Sequence, residues 1–234
     1  MYCHFLPKQS FQKKKANYFY LMLDTNKILR LIGVQGYKSR VSENTKQLEN
    51  AKGDWNVLES EVKNCTKCSL HKSRTQTVFG CGNKDSDWLF IGEAPGKDED
   101  LQGEPFVGRA GRLLNEIIFS IGLNREDIYI ANILKCRPPN NRDPSSKEIN
   151  LCSSYLEQQI RMISPKIIIA VGRIAAQNLL GSDLTMGKLR GTVHTYSSEN
   201  IPVVVLYHPA YLLRSPSQKH KAWSDLQLAR TVME

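Results

Sequence analysis

The sequence predicts an α/β fold, a three-layer αβα sandwich around a central, mostly parallel four-stranded sheet. Three observations predict it. Four short apolar runs, β-branched or aromatic and bounded by turn formers, recur between residues 54 and 234, and amphipathic helical patterns separate them. Each run also ends on, or is followed at once by, a glycine, an amide or a histidine. Alternation of this kind calls for right-handed strand–helix–strand crossovers, and such sheets bind ligands beyond the carboxyl ends of their strands.

The first strand is Trp88-Leu-Phe-Ile91, and Gly92-Glu-Ala-Pro-Gly96 follows it. The glycine-rich loop Gly103-Glu-Pro-Phe-Val-Gly-Arg-Ala-Gly111 then opens a helix in which Leu113, Leu114, Ile117, Ile118 and Ile121 share one face. The second strand, Ile128 to Asn132, ends on an amide. Ser145 to Ile163 reads as a helix because Ser-Ser-Lys-Glu at its start can form a reciprocal cap. The third strand, Ile167 to Val171, stops at Gly172, and a helical pattern covers Ala175 to Leu180. The fourth, Val203 to Tyr207, runs into His208-Pro209, and Gln218 to Val232 supplies the last helix.

Four strand ends therefore converge on one cleft, bringing Glu93, Asn132 and His208 to it. An acid, an amide and an imidazole placed together can position water, read a flat polar ligand and stabilise developing negative charge. Phe106, in the glycine-rich loop, either stacks on such a ligand or anchors the loop. That loop lacks the Gly-Lys-Ser/Thr ending of a nucleoside-triphosphate site, and neither glycine cluster has the spacing of a dinucleotide fingerprint.

Charge is unevenly spread. Residues 1–53 hold ten Lys or Arg against three Asp or Glu, leaving twenty-two against twenty in the rest of a chain whose net charge is +9. Residues 1–53 read as a basic, flexible extension and 54–234 as the catalytic domain. Phosphate contacts must then come from local clusters, such as Lys135, Arg137 and Arg142, or Arg214, Lys219 and Lys221. No apolar stretch is long enough for a membrane span, and Tyr18 to Leu23 is too short for a secretory signal, so the chain reads as a cytoplasmic protein with no membrane partner, an organelle-targeting peptide in the acid-poor N-terminal segment being the minor alternative.

Cys65-x2-Cys68 is answered far downstream by Cys136-x15-Cys152. Four thiolates gathered by folding can hold zinc or an iron–sulfur cluster, and the spacing alone admits both. Cys3 and Cys81 are left over as free thiols. In a reducing compartment thiols bind metal rather than pair as disulfides.

Together, Gly92-Glu-Ala-Pro-Gly-Lys-Asp-Glu-Asp100, Pro105-Phe-Val-Gly-Arg-Ala-Gly-Arg-Leu-Leu114, Ala131-Asn-Ile-Leu-Lys-Cys-Arg-Pro-Pro139 and His208-Pro-Ala-Tyr-Leu-Leu-Arg214 closely resemble the family 4, iron–sulfur uracil-DNA glycosylases, from about Trp55 to the C-terminus. The resemblance implies a monomeric enzyme, nucleoid-associated through DNA, that takes uracil-containing DNA, single- or double-stranded, and hydrolyses the N-glycosidic bond. It implies a structural 4Fe-4S cluster on Cys65, Cys68, Cys136 and Cys152. Glu93 would position water and His208 would donate to the departing base. Gly92, Ala94, Phe106 and Asn132 would bind the base, with Glu99 as a gate against thymine. Leu212 or Leu213 would wedge into the DNA, beside Arg214. Related proteins that bind uracil-DNA covalently carry a histidine-containing insert after the second strand. Here Arg137 to Leu151 contains no His, so turnover without a covalent link is expected. The alternative is a non-catalytic uracil-DNA or nucleotide-binding module with a structural metal site.

Overall fold

The computed structural model describes residues 54–196 and 198–234. The basic extension expected for residues 1–53, with Cys3, lies outside the described residues. Six strands form one mixed sheet among the described residues: β1 (Cys81–Gly82), β2 (Trp88–Gly92), β3 (Tyr129–Asn132), β4 (Ile167–Val171), β5 (Val193–Tyr196) and β6 (Ile201–Leu206), in the order β1-β3-β2-β4-β6-β5. The four expected strands are the parallel centre, β3-β2-β4-β6. Two antiparallel edge strands widen the expected four to six. β1 is only two residues long, and β5 alternates exposed and half-buried side chains, so neither carries the continuous apolar run that marks the centre.

Every side chain of β2, β3 and β4 is buried, as a parallel sheet covered on both faces requires. Alternate residues serve opposite cores. Phe90, Ile130, Ile169 and Val204 face Leu114 and Ile118 of α3 (Arg109–Phe119) and Leu226 and Ala229 of α8 (Lys219–Met233). Leu89, Ile91, Ala131, Ile168 and Val203 face Leu156 and Ile160 of α4 (Ser146–Ile163) and Ala175 and Ala176 of α5 (Arg173–Leu180). The three layers follow from this period of two.

A third cluster joins α1 (Trp55–Lys63) to the start of α4 through Leu58, Val62, Leu70, Leu134 and Tyr155. The short helices are α2 (Lys97–Gln102), α6 (Met186–Leu189) and α7 (Pro209–Arg214). α4 opens with the expected reciprocal cap: Ser145 Oγ accepts from Glu148 N at 3.3 Å, and Ser145 N donates to Glu148 Oε2 at 2.9 Å. No described helix is long and apolar enough to cross a membrane.

Candidate active site

A cavity of about 590 Å³ opens at the carboxyl end of the sheet, and Glu93, Ala94, Glu99, Phe106, Asn132, His208 and Arg214 all line it. Gly92 is its floor. A β-carbon there would collide with Asn132 Oδ1 and lie 2.6 Å from Phe106 Cζ, so the amide and the ring meet above a residue that must lack a side chain. Parallel pairing of Gly92 with Asn132 brings the two strand ends level.

Asn132 is buried, and its Oδ1 has no hydrogen-bond partner. An orphaned acceptor of that kind costs about 1–3 kcal/mol unless something supplies a donor. Its backbone carbonyl accepts from Lys135 Nζ at 2.9 Å, and the same ammonium donates to Gln159 Oε1 at 2.6 Å. Gln159 in turn donates to the Phe79 carbonyl at 3.0 Å. Lys135 is 1% exposed, and burial draws its amine down to about 8. It therefore cannot join the phosphate-contacting cluster with Arg137 and Arg142 expected from its charge. It ties the end of β3 to α4 instead.

His208 caps α7. Its Nδ1 accepts from Ala210 N at 3.1 Å, which leaves Nε2 to carry the proton and act as donor. Burial first, and the Arg214 charge second, draw its pKa down to about 4, so the ring is neutral at pH 7. Its centroid lies 5.7 Å from that of Phe106. Glu93 behaves in the opposite sense. Burial, reinforced by Asp143, pushes its carboxyl up to about 7, while Arg173 opposes the shift. Arg173 and Asp143 pair at 2.9 Å. Sequence reasoning missed both, because only the fold brings the loop after β3 and the start of α5 beside Glu93.

Glu99 Oε1 accepts from the amides of Val107 and Gly108, both at 3.0 Å. One carboxylate oxygen therefore braces the Phe106 loop, a task that the expected thymine gate did not include. Leu212 requires a correction. It is fully buried in the core with Leu114 and Leu226 and cannot enter DNA, whereas Leu213 is 38% exposed. Successive helical residues point about 100° apart, so only one of the pair can face outward.

Cys65, Cys68, Cys136 and Cys152 line one small pocket behind the site, with Arg74, Lys135 and Tyr155. Cys65 and Cys68 follow α1, Cys136 follows β3, and Cys152 lies in the second turn of α4. Arg74 Nη1 donates to Cys136 Sγ at 3.0 Å, and the Lys135 ammonium exerts an attractive field on Cys152. Burial pushes the Cys136 thiol up to about 11 and raises that of Cys152, so as free thiols both stay protonated. Four sulfurs from three segments, with two cations beside them, fit an anionic four-thiolate centre. Among the described residues, no group of three or more His, Cys, Asp or Glu is placed to hold a single metal ion. Cys81 stands apart from this set, accepting from Arg125 Nη2 at 3.2 Å.

An α/β sandwich with a parallel centre and an aromatic ring, an amide and an imidazole gathered at one cavity has the form of an enzyme that takes a flat polar ligand. The family model for the Uracil DNA glycosylase superfamily matches residues 79–227, and the chain belongs to that superfamily. Its similarity is to the type-4 branch. It is 47% identical to the Type-4 uracil-DNA glycosylase of Archaeoglobus fulgidus over 173 residues, which cover 71% of this chain and 87% of that protein. For the Type-4 uracil-DNA glycosylase of Saccharolobus solfataricus the identity is 46%, covering 76% of this chain and 85% of that one. For that of Thermotoga maritima it is 43%, covering 76% and 94%.

Proposed function

We propose that this chain is a monofunctional uracil-DNA glycosylase that releases uracil from DNA and leaves an abasic site. The observation that carries the reading is the buried, unpartnered Oδ1 of Asn132, set beside the Phe106 ring and sharing a cavity with His208. Uracil turned out of the helix fits this arrangement. Phe106 stacks on the base, Asn132 Oδ1 accepts its ring N–H, and the Asn132 amide donates to a carbonyl. Cytosine offers the opposite pair of groups and leaves both partners unsatisfied.

The glycosidic C–N bond breaks with its electron pair leaving on the base. His208 donates from Nε2 to the uracil oxygen that gains charge, and its neutrality suits this, since it stabilises the anion without first surrendering a proton. Glu93 holds water against the sugar carbon and takes its proton as the C–O bond forms. Leu213 fills the space vacated by the base, and Arg214 contacts the backbone. Gly92 and Ala94 shape the floor and wall, and Glu99 Oε2, 2.6 Å from where a Gly96 β-carbon would sit, limits the room for a thymine methyl.

Cys65, Cys68, Cys136 and Cys152 hold a 4Fe-4S cluster whose contribution is a covalent brace between α1, the loop after β3 and α4. The pocket they share and the adjacent Arg74 and Lys135 support this assignment. On this reading the enzyme works as a monomer in the cytoplasm on single- or double-stranded DNA. Oligonucleotides bearing one uracil, single-stranded or opposite G or A, test the reading: alkali after incubation cleaves the strand at the abasic site. Intact strands in all three substrates would leave only a binding module.

A further inference from the structure

Phe106 sits at φ 54°, a left-handed backbone that a residue with a large side chain adopts only when its surroundings hold it there. Those surroundings are specific. Arg125, in the 3-10 turn Arg125–Asp127 between α3 and β3, donates to the carbonyl of Pro105 through Nη2 and to that of Phe106 through Nη1 at 3.4 Å. Asn115 Oδ1, at 3.2 Å from Nη1, and Cys81 Sγ, at 3.2 Å from Nη2, orient the guanidinium. The two following amides are already taken by Glu99. The turn that carries the aromatic ring thus has consecutive carbonyls held from one side and consecutive amides from the other. Arg125 does not line the cavity, so it touches no substrate.

We propose that Arg125 is a positioning residue for base recognition: its planar fork, spanning the carbonyls of Pro105 and Phe106, keeps the Phe106 ring at the height where it stacks on the everted base. This rests on the base-stacking reading of Phe106. A lysine supplies one compact donor group and cannot reproduce the fork. Misplacing a reacting partner by about 1 Å costs up to about a hundredfold in rate.

The test is a double-mutant cycle of Arg125→Met and Phe106→Leu on the cluster-containing protein. Inhibition by free uracil and single-turnover excision are measured alongside melting temperature. Arg125→Met is expected to weaken uracil inhibition and excision by about tenfold or more, Arg125→Lys by less, and the double variant to match Phe106→Leu within about twofold. Losses that multiply, or an Arg125→Met protein with unchanged uracil affinity, overturn the proposal. If Phe106→Leu alone binds uracil as well as the parent, the stacking reading falls and this role falls with it. Should Arg125→Met fail to fold, the same cycle run with Arg125→Lys distinguishes the same outcomes.

Discussion

Glu93 and His208 face one cavity, yet burial moves their protonation equilibria in opposite directions. The Glu93 carboxyl, pushed up to about 7, is the group that titrates near neutrality, while His208, drawn down to about 4, has already lost its charge. On the proposed mechanism the carboxylate form of Glu93 accepts the proton of water, so excision should rise with pH through about 7 and then level off. Glu93→Gln should be slower and lose that rise, as single-turnover rates between pH 5.5 and 8.5 would report. A rise retained in Glu93→Gln would assign it to another group. For His208→Ala we expect a loss of about a hundred- to a thousandfold in single-turnover rate, with DNA binding largely kept. Asn132→Asp should lose uracil excision and gain some on cytosine, because the new carboxyl group no longer matches the uracil edge. Oligonucleotides bearing a single cytosine read the gain directly.

At the scale of the element, α3 depends on a contact that helix propensity opposes. Replacing an interior helical glycine with alanine ordinarily stabilises by about 1 kcal/mol. In Gly111 the same change drives a β-carbon into the backbone carbonyl of Phe106. Gly111→Ala should therefore lower the melting temperature instead of raising it, and uracil affinity should fall as the turn moves. Elements were legible where burial is two-sided: β2, β3, β4 and β6 stand out as apolar runs, and the Ser145–Glu148 cap marks where α4 begins. The edge strands were not, since a two-residue strand and a half-exposed one owe their pairing to β3 and β6 rather than to their own composition. Leu212 and Leu213 show the same limit. Two adjacent leucines read alike in sequence, and only the docking of α7 against α3 and α8 sends Leu212 inward.

For the whole molecule, the four cysteines bring α1, the loop after β3 and α4 to one pocket, with Cys65 and Cys152 lying 87 positions apart in the chain, and the proposed cluster would join all three. Binding energy at such a site is also folding energy. Cys136→Ser should lower iron content and visible absorbance and reduce the melting temperature by on the order of 10 °C, taking the lost site at about 4 kcal/mol. Excision by the fraction that stays folded should persist at low temperature. The sequence by itself determined the parallel core, the order of its strands along the chain, and the residues beyond each strand end, because hydrophobic period and turn chemistry are local properties. Only the tertiary structure decided that Gly92 leaves room for a ring and an amide to meet. It alone placed Asp143 and Arg173 beside Glu93, and put Lys135 in the interior rather than on a phosphate. Those outcomes depend on burial and on distances between groups far apart in the chain, and a linear sequence encodes them through packing that no single segment displays.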